Sequence, residues 1–244
     1  MSQAGERVQK VLARAGVGSR RACDELVLQR RITVNDVVAQ PGTRVDPARD
    51  RIKLDGVVIA VRPGLVHYLL NKPRGVVTTM SDPQGRRSVA QLVPSEPRVF
   101  PVGRLDSETE GLLLLTNDGD LAQRVAHPSH GVDKEYLAEV CGIPSRSALR
   151  RLRDGVMLDD GLTAPATVSL VGESGANAML RVTIHEGRKR QVRRMCEAIG
   201  HPVGRLVRVR IGPLHDPKLP PGRWRALRQA ELRALERAAW QPRP

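Results

Sequence analysis

The 244-residue sequence predicts an α+β protein in two parts, a small helical module at the front and a larger strand-rich module behind it. Three observations carry that expectation. Over the first thirty residues apolar positions recur at helical spacing and are interrupted by glycine. From about residue 66 strand patterns outnumber helical ones and do not alternate strictly with them, which favours a mostly antiparallel sheet over a doubly wound parallel one. Hydrophobic residues make up 40% of the chain against 27% charged, enough to bury a core, and only 2% are aromatic, so that core must be aliphatic.

In the front module, residues 6–15 place Val8, Val11, Leu12 and Ala15 on one face and Arg7, Lys10 and Arg14 on another, as a helix does. Gly16 and Gly18 interrupt it, and Ser19 stands as the N-cap of a second helix running to about Arg30. The run ITVNDVVA alternates around Asn35-Asp36 and reads as a hairpin; RIKLDG and VVIAV follow as short strands, and Pro63-Gly64 closes the module. The expected boundaries are 6–64 for this module and 66–240 for the next. Two helices joined by a glycine turn fit either a DNA-reading helix-turn-helix or an RNA-binding module with an attached hairpin.

The second module begins with strand patterns at HYLLNKP, GVVTT, RVFPV and GLLLLTN, then a helix near DGDLAQRVA and a strand KEYLAEVCG. A helix SRSALRRLR, strands PATVSLV and NAMLRVTIHEG, a helix KRQVRRMCEAIG and a strand RLVRVRIG follow. An amphipathic helix over about 228–239 ends the pattern.

Charge and composition narrow the class. Forty Lys+Arg against 26 Asp+Glu give +14, the balance of a protein that meets a polyanion, most often nucleic acid. Only six of the forty are lysines, so a biased genome is the competing account, and where the cations cluster must decide. No apolar run is long enough for a membrane span, and the first ten residues lack a signal core. Cys23, Cys141 and Cys196 are few, odd in number and far apart, which predicts buried thiols in a reducing cytoplasm rather than a disulfide framework. The histidines do not pair with cysteines at zinc spacing, and His127 and His130 around Pro128 read as loop residues, so no metal site is expected.

Clustering favours function over bias. The first 35 residues carry seven cations against three carboxylates, and Arg20 and Arg21 sit in the first turn of the second helix, where the dipole repels them. Such placement calls for an anion, and helix N-terminal amides with bidentate arginines suit a phosphate. Residues 181–210 hold nine cations against two carboxylates, half of the net excess in thirty residues. If a helix starts near Lys189, positions 189, 193 and 197 share one face and 190 and 194 another. Residues 103–135 are acidic instead, three cations against seven carboxylates, and look like a working site or an internally paired patch. Within them Asp106 lies just before the wholly apolar Leu112–Leu115, with Gly103 and Gly111 allowing tight backbone, so Asp106 is expected at a cleft edge near the end of a buried strand.

The stretch QKVLARAGVGSRRACDELVLQRRITVND resembles the RNA-binding module of small-subunit ribosomal protein S-four. LNKPRGVVTT, GRLDSETEGLLLLTNDGD, KEYLAEV and EGRKRQVRRM occur in the order found in the RsuA/RluB family of pseudouridine synthases, and nearly the whole chain resembles that family's RluB branch, which acts on large-subunit ribosomal RNA. The resemblance implies isomerisation of one uridine to pseudouridine without metal or cofactor, by a cytoplasmic monomer whose partner is ribosomal RNA or an assembly intermediate, with no membrane. It implies Asp106 as the essential carboxylate, Arg193 as its cationic partner and Tyr136 as the residue that stacks on uracil and helps remove the C5 proton. It makes Arg7, Lys10, Arg14, Ser19, Arg20 and Arg21 RNA contacts in the front module, and Lys72, Arg104, Arg188 and Gln191 contacts near the cleft. The reacting bond is unreachable in a stacked helix, so the base must be extruded. Two other classes stand beside the enzyme: a non-catalytic RNA-binding ribosome-assembly factor, and a DNA-binding regulator using residues 6–30.

Overall fold

A computed structural model describes residues 5–59, 64–127 and 132–240; the sequence readings at Ala60–Val61, Pro63, Pro128 and His130 lie outside them. The chain divides into two compact units, one of Met1–Val66 with Pro94–Val99 and Asn117–Gly119, the other of His67–Val93, Phe100–Thr116 and Asp120–Pro244.

In the first unit β1 (Glu6–Arg7) pairs with β4 (Arg44–Val45), so α1 (Val8–Arg14) begins two residues later than the periodicity predicts. Val8, Val11 and Leu12 of α1 and Cys23 and Val27 of α2 (Arg20–Leu28) bury against Ile32, Val45 and Ile52 in one aliphatic core. Ser19 caps α2, its Oγ accepting from the Ala22 N–H at 3.2 Å. Four short strands, β2 (Ile32–Val34), β3 (Val37–Val38), β5 (Ile52–Leu54) and β6 (Val57–Val58), form a sheet in the order β3-β2-β5-β6. Asn35 and Asp36 both take positive φ, +49° and +68°, as do Asp55 and Gly56, the signature of the tight hairpin turn whose twist matches the strands it joins.

The second unit is built on one mixed sheet. Its strands are β7 (His67–Lys72), β8 (Phe100–Pro101), β9 (Thr109–Thr116), β10 (Lys134–Cys141), β13 (Thr167–Ser174), β14 (Asn177–Ile184), β15 (Val203–Ile211) and β16 (Trp224–Ala226). A separate hairpin joins β11 (Met157–Leu158) to β12 (Gly161–Leu162). The main order is β13-β14-β10-β15-β9-β7-β16, with β8 also on β9, and every pair is antiparallel except β15 with β9. The expected strand GVVTT is absent as a strand: Val77 makes only an isolated bridge to Ser88, and neighbouring groups are held by side chains instead of a ladder. α3 (Gly119–Ala126) and α6 (Gln229–Trp240) cover one side of β9, packing Leu121, Ala122, Val125, Leu235 and Ala239 on Leu112 and Leu114. α4 (Arg146–Asp154) and α5 (Gln191–Ala198) complete the unit.

Gly111 sits where β9 meets β15. It has φ +107°, and a Cβ there would lie 2.2 Å from the Arg208 carbonyl oxygen, so no other residue allows the two strands to approach this closely. Of the three cysteines, Cys23 and Cys196 are buried as expected, but Cys141 is exposed at the end of β10.

Candidate active site

Asp106 lies in the turn that leads into β9, and four consecutive carbonyls of that turn are held. The Leu105 carbonyl accepts from Thr78 Oγ1 at 2.6 Å, that of Asp106 from the Thr109 N–H at 3.0 Å, that of Ser107 from the Gly75 N–H at 2.8 Å and from Lys72 Nζ at 3.3 Å, and that of Glu108 from Arg193 Nη2 at 3.0 Å. A short loop so fully bonded has little freedom, which fixes the backbone from which the half-buried Asp106 side chain extends. Asp106 and Tyr136 line the same cavity, of about 580 Å³, together with Arg104, Thr109, Lys134 and Arg208. That volume suits a nucleoside-sized ligand.

Arg193 reaches this turn from behind. It is 8% exposed, and its guanidinium donates to the carbonyls of Val203 and Glu108, both at 3.0 Å. Burial, with the Arg190 charge, makes its cationic form more costly, while Asp106 and Glu108 offset that cost. Among the described residues no ion pair within 4.0 Å joins Arg193 to Asp106, so the expected direct partnership takes the form of a buried charge that also fastens the Asp106 turn. Arg193 is on α5, but α5 begins at Gln191 because Arg190 turns into the left-handed region at φ +51°. The helix expected from Lys189 is therefore shorter, and Lys189 does not share a helical face with Arg193.

Five expected RNA contacts are otherwise occupied. Lys72 is fully buried, and its ammonium donates to the carbonyls of Pro73, Val76 and Ser107 at 3.0, 2.7 and 3.3 Å, so it fastens the Asp106 turn and offers nothing to RNA. Burial pushes its pKa down to about 8, opposed by Glu108, Glu110 and Asp106. Gln191 is buried, accepting from the Arg188 N–H at 3.0 Å and donating to Glu186. The Arg188 guanidinium is spent on Glu186 and on the carbonyls of Gly161 and Leu162, so it clamps the β11–β12 hairpin to the cavity wall. Arg14 in the first unit pairs bidentately with Glu6, at 3.0 Å on both arms, and Lys10 lies 3.5 Å from the same carboxylate. Arg7, Ser19, Arg20 and Arg21 are exposed, as is Arg104 on the cavity lining.

Sequence reasoning missed two cavity cations. Lys134 stands two residues before Tyr136 on the same strand, a spacing that puts both on one face and could have found it. Its ammonium donates to the carbonyls of Val132 and His185 at 3.0 and 3.3 Å, and burial and the Arg208 charge push its pKa down to about 8, against Asp133. Arg208 lies directly across from Tyr136 in the β10–β15 register, next to a bulge at Val209. Its Nε donates to the Leu112 carbonyl at 2.7 Å, while its buried Nη2, like the buried Thr109 Oγ1, has no partner among the described residues. Unpaired buried polar atoms on cavity residues are groups that a polar ligand can satisfy. No amino-acid periodicity distinguishes Arg208 from its exposed basic neighbours; only the sheet register does.

The comparisons with known proteins agree with this architecture. Residues 66–198 match the RNA pseudouridylate synthase family, and residues 6–58 match the S4 domain. An uncharacterized RNA pseudouridine synthase of Aquifex aeolicus is 45% identical over 95% of this chain and 94% of its own length. A protein of Bacillus subtilis named ribosomal large subunit pseudouridine synthase B is 43% identical over 96% of this chain and 97% of its own. A crystal structure of a pseudouridylate synthase superposes with a TM-score of 0.69 at 27% identity, covering 95% of this chain and all of that one. The chain belongs to the RNA pseudouridylate synthase family and carries an S4 domain in front of the synthase fold.

Proposed function

We propose that this protein isomerises one uridine of large-subunit ribosomal RNA to pseudouridine, acting as a cytoplasmic monomer, with residues 6–64 gripping RNA and residues 66–240 performing the reaction. The observation that carries the reading is Asp106, set in a turn whose four consecutive carbonyls are hydrogen-bonded, and sharing one cavity with Tyr136, Thr109 and Arg208. The name of the Bacillus subtilis relative, at 43% identity over almost the whole chain, supports the large subunit as the source of the substrate.

The reaction breaks the N1–C1′ bond and forms a C5–C1′ bond, while the proton leaving C5 is balanced by one taken up at N1. Asp106 in its anionic form supplies the electron pair, either at C1′ or by removing the C2′ proton. Tyr136 offers a ring face to an extruded uracil and a hydroxyl on the route by which the C5 proton departs. Arg208 Nη2 and Thr109 Oγ1 provide polar partners for uracil or ribose oxygens. In the S4 domain Arg7, Arg20 and Arg21 present exposed guanidinium groups to phosphates.

The test is a pseudouridine map of ribosomal RNA from cells with the gene, without it, and with Asp106→Asn as the sole copy. One pseudouridine is expected to vanish in the last two, while the Asn variant still binds ribosomal RNA. An unchanged map would remove the reading.

A further inference from the structure

A second face of the molecule carries RNA-binding chemistry that the catalytic cavity does not use. On α6, Arg233, Arg237 and Trp240 stand at spacings of four and three residues and therefore share one stripe, and all three are exposed. Arg124 of α3 lies over the indole, its guanidinium carbon 5.5 Å from the ring centroid. Trp240 is nonetheless 70% exposed, so the ring face away from Arg124 is open. Burying an indole normally repays the chain, and here the largest side chain in the sequence is left in solvent with cations around it.

None of Arg124, Arg233 and Arg237 makes an ion pair with a described residue, and their three charges outnumber the exposed carboxylates of the same two helices, Asp120 and Glu236. The face is therefore positive with an aromatic platform in it, the pairing that holds unpaired nucleotides by phosphate attraction and base stacking together. Its position relates it to the active site. α6 packs on α3 through Leu235 and Ala239, and the last turn of α3 supplies Val125 and Ala126 to the cavity wall. The same helix, α3, thus carries the arginine that touches the platform and two residues that line the cavity.

We propose that Trp240, with Arg124, Arg233 and Arg237, forms an accessory site for an unpaired nucleotide flanking the target uridine, the base stacking on the open indole face and the guanidinium groups holding adjacent phosphates. The proposal deepens the isomerase reading and rests on it. A nucleotide held here would pull the strand out of its stack beside the cavity and so share the work of presenting the uridine.

The test uses an unstructured oligouridylate as probe. In the full chain carrying Trp224→Phe, Trp240 is the only tryptophan, and its emission is expected to be quenched on titration with the probe. Trp240→Ala should weaken binding of the probe by at least about fivefold, the low end for loss of one base–aromatic stack, and Trp240→Phe should restore most of it. Arg233→Glu with Arg237→Glu should weaken binding and flatten its salt dependence. Thermal melts of each variant verify that the fold survives. Unquenched emission with unchanged affinity in Trp240→Ala would overturn the proposal, and so would equal quenching by fully duplex RNA, because no base is then free to stack. Conversion of ribosomal RNA by the unaltered protein scores the isomerase reading separately, so failure of one is distinguishable from failure of the other.

Discussion

Lys72→Met separates a positioning role from an RNA-binding role for a lysine that the structure buries completely. The substitution keeps the aliphatic bulk and deletes the ammonium. The carbonyls of Pro73 and Val76 lose their donor, while the Ser107 carbonyl keeps the Gly75 N–H. Two buried acceptors left unpaired cost about 2–6 kcal/mol. Against this, the folded state no longer holds a desolvated cation. A pKa lowered from 10.5 to about 8 corresponds to a cost of about 3 kcal/mol at pH 7, which the variant recovers. The net change expected at pH 7 therefore runs from a gain of about 1 kcal/mol to a loss of about 3 kcal/mol.

The dependence on pH sharpens the test. Between the folded value near 8 and the unfolded value of 10.5 the unfolded chain binds more protons at Lys72 than the folded one, so the wild type gains stability as pH rises. From pH 7 to pH 9 that gain is about 1 kcal/mol, and the variant lacks it, so the stability difference should shift in favour of the wild type by that amount. Lys134 and the buried Cys196 thiol, which burial pushes up to about 12, titrate alike in both proteins and cancel in the difference. Urea unfolding at pH 7, 8 and 9 measures the gap. Single-turnover conversion of ribosomal RNA should fall by about tenfold to a hundredfold as the Asp106 turn loosens, with RNA affinity unchanged. A gap independent of pH together with an unaltered conversion rate would refute the positioning argument; weakened RNA binding with intact turnover would return Lys72 to the role first expected of it.

Other substitutions probe the same architecture. Gly111→Ala places a methyl group 2.2 Å from the Arg208 carbonyl oxygen at φ +107°, and should cost at least about 3 kcal/mol in urea unfolding; a loss under 1 kcal/mol would mean that β9 and β15 do not pair as described. Arg208→Met removes a charge that lowers the Lys134 pKa, so the Lys134 titration followed by NMR should move up from about 8, and RNA conversion should drop; an unmoved titration would place Arg208 outside the cavity.

What sequence alone determined is what short-range chemistry encodes. The α+β class came from the period of apolar residues, the turn at Asn35-Asp36 from residues that tolerate positive φ, and the buried β9 from four consecutive leucines. The place of Asp106 at the margin of that strand was legible for the same reason. Which cations remain free to meet RNA was decided by tertiary structure. The basic block at 181–210 and the acidic block at 103–135 look like opposed surfaces in the sequence, yet much of their charge meets across strands. Arg205 pairs with Glu110 at 2.9 Å, and Glu135 takes both Arg181 at 3.0 Å and Arg210 at 3.7 Å. Lys72, Arg14, Arg188 and Gln191 are likewise consumed by partners that local patterning does not reveal, several of them far along the chain. A side chain's charge is written in its own residue, but whether that charge is available depends on which carbonyl or carboxylate the fold brings within hydrogen-bonding distance.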